Sequence, residues 1–584
     1  MHNVAQLRRL REQFSGELVI IGVHSAKFPA EGATTNIREA AMRRGVDHPV
    51  VNDVDFKIWQ SYAVKAWPTL VLINPAGKIV DTQSGEILAD DYARKIAALI
   101  AEAEAEGTLD RRPLDLQPER MTEPRRPLKY PAKLLAVRQQ RSSEHHLYIA
   151  DTGHHRLLEV KLTGKDQSGR IVRIFGTGQP GLKDGPANEA MFHDPHGMAL
   201  SGLTLYVADT ANHAVRAIDL QANTVRTVAG TGHKGHGRFE VGQPTQTALR
   251  SPWALWAEKN ILLIAMAGSH QIWALVGEER LGIFAGNGRE ALVDGPLVEA
   301  SFNQPSDLDA GFGHMFIADS EASAIRAISM GEDPQVMTVI GQGLFEFGDV
   351  DGQGGMVRLQ HPTGLGYYDG LVYIADSYNH KIKTLDPTTG EVKTLVGTGQ
   401  AGHNDGPFEK AELFEPEGLA ALEGRLYIAD TNNHLIRVAN LGDRTVHTLM
   451  LHGLEQLGLT FVPEELQEVM RLDPVRVGPG EVEVRLNIKL PPGYKLTADA
   501  AQLLKTSLNG QGMTHAFEAT EMPKFPVNLE SDGDLDLNLT LYYCQTSDRR
   551  LCMIHDARLI LPLTVSEAGE QKVTITYDMP RPSV

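Results

Sequence analysis

The spacing of hydrophobic and polar residues changes along the chain and divides it into three structured parts. Residues 1–106 combine helical periodicity with short apolar runs, which predicts an α/β domain. Residues 128–451 contain many short apolar strands separated by glycine-rich turns. Residues 452–584 alternate apolar and polar positions in stretches such as EVEVRLNIKL, which predicts a β-sandwich. A proline-rich segment, residues 107–127, is expected to be an extended linker.

The first part predicts helices and strands in alternation. Helices are expected at the amphipathic stretch Val4–Phe14 and near Thr35–Arg44, Phe56–Tyr62 and Asp90–Glu106. Strands are expected at Leu18–Val23, Pro49–Asn52, Thr69–Ile73 and Ile79–Gln83. The turn PAGK joins the last two strands into a hairpin that precedes the closing helix.

The segment VKAWPTLVLINPAGKIV, with the helix–strand order before it, resembles the cis-proline loop and hairpin of thioredoxin-like domains. The resemblance implies a thioredoxin-like fold with a cis peptide bond before Pro68. It also implies that Trp67 and Thr69 flank the groove for a substrate strand. Taken alone, Pro68 also fits an ordinary trans proline in a turn, because most X–Pro bonds are trans.

In thioredoxin-like domains a central strand leads into a Cys-x-x-Cys pair at the start of the first helix, and this sequence begins after that point. Without a thiolate nucleophile, the first part as written cannot exchange disulfides. Either Met1 is an internal methionine of a longer protein, or a shortened domain survives as a docking module. The unpaired backbone that a lost central strand leaves behind favours the first explanation.

The middle part is a sequence repeat. A strand motif such as LYIADTGHHRLLEV or LYIADTNNHLIRVA occurs six times at intervals of 53–58 residues, and each copy follows a segment that starts with proline. Four short strands per repeat predict a six-bladed β-propeller, and the motif resembles the NHL repeat. The long loops of such a disc gather on one face, where a protein or peptide partner is expected to bind.

One aspartate per repeat ends the second strand, except in the third repeat, where Met266 takes its place. The aspartates are Asp151, Asp209, Asp319, Asp376 and Asp430. A histidine follows four residues later in four of these repeats, at His155, His213, His380 and His434. Both residue types bind metals, but one copy per blade favours a structural role in which each carboxylate accepts backbone amides in its own turn. We therefore expect no metal and no cofactor.

The loops between blades carry a second motif, Asp-Gly-Pro, that begins at Asp184, Asp294 and Asp405. Aspartate followed by glycine is typical of a turn, so these residues need no ligand. Propellers of this type include carbon–nitrogen lyases and hydrolases with a central metal. The sequence does not place a non-repeating set of His, Glu or Asp at the axis, which argues against such an enzyme.

The last part contains both cysteines of the chain, Cys544 and Cys552. One ends a strand and the other opens the return strand, so antiparallel pairing can bring their Cα atoms within about 7 Å, the limit for a disulfide. This order and the LPPGY segment resemble the immunoglobulin-like N-terminal domain of the bacterial thiol-disulfide interchange protein, which implies a redox pair. Two half-buried free thiols are the alternative. Arg549 and Arg550 are at hand to favour a thiolate.

Composition excludes several functions. The formal net charge of -18 disfavours nucleic-acid binding, which requires basic surfaces. No apolar run reaches the ~20 residues of a membrane-spanning helix, and the N-terminus lacks the apolar core of a secretory signal. We therefore expect a cytoplasmic protein without membrane contact, although the start site is in doubt.

Two functions remain. In the first, the protein is a thiol-disulfide oxidoreductase that uses Cys544 and Cys552, or a cysteine pair upstream of Met1, while the propeller serves as a protein-interaction scaffold. In the second, the propeller is a redox-inert scaffold for a protein or peptide. An in-frame Cys-x-x-Cys upstream of Met1 would support the first. The sequence names neither the partner nor the oligomeric state.

Overall fold

The computed structural model describes residues 2–112, 114, 123, 125–138, 144–163, 168–235, 242–454, 469–498, 500–508, 511–546 and 552–582. The chain divides into two units, Met1–Glu123 and Pro124–Pro582. Among the described residues, no helix has both the length and the apolar character needed to cross a membrane.

The first unit combines helices with two separate two-stranded sheets. Its α-helices are His2–Gln13, Thr34–Arg43, Lys57–Ser61 and Ala89–Ala105. Its strands are Gly22–His24 and Val50–Asn52, which pair in parallel, and Thr69–Ile73 and Ile79–Ser84, which pair antiparallel. The strand expected at Leu18–Val23 is wrong in extent, because only Gly22–His24 finds a partner strand for its backbone.

The apolar residues of the N-terminal helix recur at helical spacing because they pack against the last helix of the first unit. Leu10 on the first helix is buried against Tyr92 and Ile96 on the last helix, and Leu7 and Phe14 pack around this core. Side chains three or four positions apart share one helix face, so the amphipathic pattern determines which face of the first helix is buried.

The second unit begins with a ring of six sheets between Pro131 and His452. Blade 1 consists of Pro131–Arg138, His145–Asp151, Arg156–Thr163 and Ser168–Phe175. Blade 2 consists of Pro195–Ser201, Thr204–Asp209, Ala214–Asp219 and Thr224–Ala229. Blade 3 consists of Pro252–Glu258, Ile261–Met266, Gln271–Val276 and Arg280–Ala285.

The other three blades repeat the same order of strands. Blade 4 consists of Pro305–Gly311, His314–Asp319, Ala324–Ser329 and Gln335–Ile340. Blade 5 consists of Pro362–Tyr368, Leu371–Asp376, Lys381–Asp386 and Glu391–Val396. Blade 6 consists of Pro416–Leu422, Arg425–Asp430, Leu435–Asn440 and Thr445–Thr448. The inner strands contact one another in chain order and the sixth contacts the first, so the blades close a propeller-like ring.

The expectation of four strands per blade is wrong for five of the six sheets. Short strands from the preceding loops pair with the outer strands of blades 2, 4, 5 and 6: Gly185–Pro186, Gly295–Pro296, Gly352–Gln353 and Gly406–Pro407. Their glycines have φ between 133° and 146°, a conformation that residues with a Cβ avoid. Met450–His452 leaves blade 6 and pairs in parallel with the outer strand of blade 1, which links the end of the ring to its beginning.

Alternate residues of each second strand pack on opposite neighbours, which explains its continuous apolar sequence. In blade 1, Leu147 and Ile149 join a core with residues of blade 6, whereas Tyr148 and Ala150 join a core with residues of blade 2. A strand covered on both faces has no polar side, so the sequence shows a short apolar run without alternation.

The rest of the second unit consists of two sheets that share one core. The larger sheet contains Val469–Arg471, Val475–Val477, Tyr494–Leu496, Gln502–Leu508, Gln511–Phe517, Gly533–Gln545 and Cys552–Val565. The smaller sheet contains Gly480–Lys489, Lys524–Leu529 and Lys572–Asp578. Alternate residues of the strands, such as Leu535, Leu537 and Leu539, fill the space between the sheets.

The larger sheet is attached to the ring at its longest hairpin. Ile554 donates its backbone N–H to the Arg125 carbonyl at 2.8 Å, and the Arg125 guanidinium forms an ion pair with Asp556. Tyr542 and Ile554 also join the apolar core shared with blades 1 and 6. These contacts hold the strand that begins at Cys552 against the ring.

Candidate functional site

The two cysteines form a disulfide at the end of the longest hairpin. Cys544 and Cys552 are direct register partners on antiparallel strands, and their Cα atoms lie 4.2 Å apart. The expected distance within about 7 Å is confirmed. No free cysteine occurs in the described part of the chain, so the alternative of two free thiols is wrong for this structure.

The two half-cystines have different surroundings. Cys544 is 2% exposed and lines a cavity of about 520 Å³ that opens to solvent beside the exposed side chain of Met522. Cys552 is half-buried and lines a smaller cavity of about 70 Å³ facing the ring, together with Arg126 and His434. A reactant from solvent therefore reaches Cys552 more readily than Cys544. Arg126 places a cation in the lining of the same cavity.

The other cations expected near the disulfide lie outside the described residues. Residues 547–551, which include Arg549 and Arg550, join the two half-cystines along the chain. Their expected effect on the thiolate stays a prediction.

The proline loop of the first unit has the expected peptide geometry. The Trp67–Pro68 bond is cis. Trp67 is 48% exposed, its ring centroid lies 4.6 Å from that of Trp59, and its indole N–H donates to the Ser25 carbonyl at 2.8 Å. The Thr69 hydroxyl donates to the Ala66 carbonyl at 2.7 Å. The role of Trp67, Pro68 and Thr69 as a substrate groove stays a prediction.

The repeated aspartates accept backbone amides, but not in their own turns. Asp209 accepts the N–H of His193 at 2.7 Å, just before the inner strand of the same blade. Asp319 accepts the N–H of Asn303 in the same way, at 2.6 Å. The other aspartates with this contact are Asp151, Asp376 and Asp430. Each carboxylate therefore ties the second strand of its blade to the segment that leads into the inner strand.

Each of these carboxylates also meets a buried cation from the third strand. Arg216 contacts Asp209 at 2.8 Å and the loop residue Asp184 at 2.6 Å, and the side chains of Arg216 and Asp209 are both 0% exposed. The corresponding cations in blades 1, 4, 5 and 6 are Arg156, Arg326, Lys383 and Arg437. Asp184, Asp294 and Asp405 thus bind a buried arginine in addition to shaping a turn.

The repeated histidines connect neighbouring blades. His213 of blade 2 accepts the N–H of Ser251, the residue before blade 3, at 3.0 Å. The same contact to the next blade is made by His155, His270, His380 and His434. In blade 4 the hydroxyl of Ser323 replaces the imidazole and accepts the N–H of His361 at 3.2 Å. Sequence reasoning missed His270, because that repeat lacks the aspartate which marks the motif.

One group of donor atoms in the described residues has the composition of a metal site. His155, His193 and Asp194 offer two imidazoles and a carboxylate whose donor atoms lie within 4.8 Å of one another. The His155 Nδ1 already accepts the N–H of Asp194 at 3.2 Å, the contact that recurs at the other blade junctions. The repeated contact therefore accounts for His155 without an ion.

Sequence reasoning also missed charged residues near the ring axis. Lys133 on the inner strand of blade 1 donates to Asp307 on the inner strand of blade 4 at 2.8 Å. Asp309 lies two residues further along the blade 4 strand. Aligning the segments that start with proline would have revealed these charges. At the third position, blades 2, 5 and 6 have Gly197, Gly364 and Gly418, whereas blades 1 and 4 have Lys133 and Asp307.

Comparisons with known proteins agree with the repeats and the ring. The NHL repeat family matches residues 192–218 and 415–439. NHL repeat-containing protein 2 from Bos taurus is 35% identical over 632 residues, which cover 98% of this chain and 86% of the relative. The chain belongs to the NHL repeat-containing protein family. The expected NHL repeat is thereby confirmed.

Within this family the similarity extends to a plant protein. Protein SUPPRESSOR OF QUENCHING 1, chloroplastic, from Arabidopsis thaliana is 35% identical, over 99% of this chain and 57% of the relative. A chain of a solved Nidogen/Laminin complex aligns with 52% of this chain and over 93% of its own length, at 13% sequence identity and a TM-score of 0.35. This likeness supports no functional conclusion. The cytoplasmic location expected for this member of the family stays a prediction.

Proposed function

We propose that the protein exchanges disulfides with a dithiol partner through Cys544 and Cys552, and that the propeller-like ring is the scaffold on which the partner is held. The observation that carries this proposal is the asymmetric disulfide, with buried Cys544 on one side and half-buried Cys552 at the ring-facing cavity. A purely structural disulfide does not require one sulfur to be reachable. The disulfide lies on the hairpin that contacts the ring, so a partner held there would be close to it.

The exchange takes place in two balanced steps. A thiolate of the partner attacks Sγ of Cys552, a mixed disulfide forms there, and Cys544 leaves as a thiolate that takes up a proton. The second thiolate of the partner then attacks its own sulfur in the mixed disulfide and releases Cys552. The pair on this chain is reduced by two electrons and the partner is oxidised to a disulfide. The reverse sequence reduces a partner disulfide.

Two further assignments belong to this proposal. The first unit is a thioredoxin-like domain, supported by its order of helices and strands and by the cis bond before Pro68. The last two sheets form an immunoglobulin-like sandwich, supported by their shared core and by the cysteine hairpin at the edge of that core. The ring would support the sandwich that carries the cysteine pair.

Mixed-disulfide capture tests the exchange. The Cys544→Ser variant of the full chain keeps Cys552 and should react with oxidised glutathione to give a stable adduct, detected by intact mass. The matched Cys552→Ser variant keeps the buried Cys544 and should react far more slowly. If neither variant reacts while folded, and dithiothreitol does not open the wild-type disulfide, the protein is instead a redox-inert scaffold. The 2% exposure of Cys544 is the observation that favours this second function.

A further inference from the structure

The inner strands of the ring surround an axial cavity of about 1090 Å³. Leu134, Leu308 and Leu419 contribute apolar walls, and the rings of Trp256 and Tyr367 also line the cavity. These five residues come from the inner strands of five different blades. The cavity is large enough for a small ligand or one long side chain.

Tyr367 is held in its place by a contact with blade 4. A Cβ atom on Gly311 would lie 2.2 Å from the ring of Tyr367, so the glycine leaves the space that the ring occupies. The ring also stacks on Phe316, with 6.5 Å between centroids. The aromatic wall is therefore arranged before any ligand enters.

The cations that line the cavity are already neutralised. Lys133 pairs with Asp307 at 2.8 Å. Arg138 pairs with Glu423 at 3.6 Å, and Arg173 pairs with the buried Glu159. None of these three side chains is left as an unpaired charge that would attract an anion.

Asp309 is different from the other charged groups of the cavity. Its carboxylate accepts the backbone N–H of Tyr367 at 2.7 Å and that of Ala310 at 2.8 Å. Among the residues that the structure describes, no lysine, arginine or histidine forms an ion pair with it. Burial raises the pKa of Asp309 to about 6, and the neighbouring Asp307 acts in the same direction. A cation placed beside Asp309 would favour its ionised form.

We propose that the axial cavity binds an organic cation, an ammonium or guanidinium group on an apolar stem. The charged group pairs with the carboxylate of Asp309, and the stem packs against the leucines and over the rings of Trp256 and Tyr367. A neutral ligand would leave the carboxylate without a counter-charge, and an anion would be repelled by it. This site adds to the scaffold role proposed above, and it does not depend on thiol exchange.

Two sources can provide this chemistry, a small amine or a lysine or arginine side chain of a peptide. Calorimetric titration distinguishes them with hexylamine hydrochloride as one probe and the peptide acetyl-Gly-Lys-Gly-amide as the other. Hexanol and acetyl-Gly-Gln-Gly-amide are the neutral counterparts. The protein is the full chain with Cys544→Ser and Cys552→Ser, so that binding is measured without disulfide chemistry and failure of the exchange does not affect the result.

The variants isolate the carboxylate. Asp309→Asn keeps the shape and removes the charge, and it should weaken binding of the cationic probe at least about tenfold. Asp333→Asn makes the same change of charge at an exposed position that follows the third strand of blade 4, and it should bind as the parent does. If Asp309→Asn does not fold, Trp256→Leu serves as the second arm, because it keeps the carboxylate and should weaken the cation about threefold or more relative to hexanol.

The outcomes separate cleanly. Binding of hexylamine alone supports a small amine, and binding of the lysine peptide as well supports a partner side chain. Equal affinity for the neutral counterparts, or an Asp309→Asn variant that binds as tightly as Asp333→Asn, overturns the proposal. So does the absence of heat with both cationic probes up to about 10 mM, the weakest affinity that a cavity of this kind would be expected to show.

Discussion

Blade 3 and the other five blades solve the same packing problem in different ways. Five blades place a buried carboxylate against a buried cation, as in Asp209 and Arg216. Blade 3 has Met266 at the aspartate position and Trp273 at the arginine position, and the indole N–H donates to Gln271 at 3.0 Å. All three of these blade 3 side chains are buried. The same backbone therefore accepts either a buried ion pair or an apolar pair with one hydrogen bond.

The difference shows what the ion pair contributes. Removing two charges from water is costly, and an ion pair recovers that cost only when the remaining polar atoms also find partners. The aspartates accept a backbone amide, and the arginines donate to loop carbonyls, as Arg216 does to Met191 and Lys183. The condition is met in part, because the buried Nε of Arg216 has no hydrogen-bond partner among the described residues. Blade 3 is packed without such a buried ion pair. We therefore expect that replacing both charged residues of a blade together destabilises the protein less than replacing one of them alone.

Removal of one partner should have the largest effect. Arg437→Met leaves Asp430, whose side chain is 0% exposed, without its cation, and we expect a loss of about 3–5 kcal/mol in the free energy of unfolding. Urea titration followed by tryptophan fluorescence measures this loss. Arg280→Met on an exposed position of blade 3 is the matched control and should change stability by less than about 0.5 kcal/mol. Similar losses in both variants would show that the buried ion pair contributes no more to the free energy of unfolding than an exposed arginine does.

A transfer of the blade 3 solution should cost less. The triple variant Asp319→Met, Ala324→Gln, Arg326→Trp gives blade 4 the three side chains of blade 3 at the same register positions. We expect a loss of at most about 2 kcal/mol, below that of Arg326→Met alone, because no buried charge is left unpaired. Urea titrations of both variants provide the comparison. A triple variant less stable than the single one would mean that blade 3 depends on neighbours that blade 4 lacks.

The histidine contacts between blades predict a pH effect. Burial lowers the pKa of His380 from 6.5 to about 4. Since the folded pKa lies below the ordinary value, the stability that this group provides is present above pH 6.5 and is lost as the pH falls toward 4. The protonated ring cannot accept the N–H of Glu415. His380→Ser copies the Ser323 contact of blade 4 and should remove up to about 1.4 kcal/mol per pH unit of this dependence.

Urea midpoints for wild type and His380→Ser at several pH values between 4 and 8 test this effect. Other acidic groups contribute equally to both proteins, so only the difference between the two curves is informative. Parallel curves of urea midpoint against pH would show that His380 does not contribute to the loss of stability in acid.

The smallest expected effect concerns a hydroxyl. In blade 2 the Thr210 hydroxyl donates to the Pro252 carbonyl of the next blade at 2.7 Å, and in blade 5 Ser377 donates to Pro416 at 2.6 Å. Blade 3 has Ala267 at this position. Ala267→Ser should add the missing bond to Pro305 and raise the free energy of unfolding by about 1 kcal/mol. Ser377→Ala should lower it by a similar amount, and a gain without a matching loss would contradict a shared role for the hydroxyls.

Local elements were predictable because their signals are local. The strand Thr69–Ile73 has the predicted bounds, and the six repeats correspond to six sheets. The strand expected at Leu18–Val23 was wrong in extent, because its length depends on where Val50–Asn52 lies. The reach of Met450–His452 into blade 1 was not predictable for the same reason, since its partner strand lies more than two hundred residues earlier.

The candidate site also has features that local sequence could predict and features that depend on distant residues. The strand pattern around Cys544 and Cys552 was sufficient to predict Cα atoms within bridging distance, because both residues lie on one hairpin, but it left a disulfide and two free thiols as alternatives. It did not show that the two sulfurs have unequal access, since that depends on the cavity between Cys552 and the ring. Arg126, which lines this cavity, belongs to a segment far from the hairpin in sequence.

By itself the sequence determined the period of the repeats, the burial of the apolar second strands, and the place of one aspartate in five of six blades. These are properties of neighbouring residues, and backbone geometry converts them directly into helices, strands and turns. Only the tertiary structure decided which charges meet. Lys133 and Asp307 are 174 positions apart and come together because the ring closes, while Asp309 on the same strand forms no ion pair with any residue in the described part of the chain. Which residues become neighbours across the ring depends on the geometry of all six blades, so these contacts cannot be predicted from a single repeat.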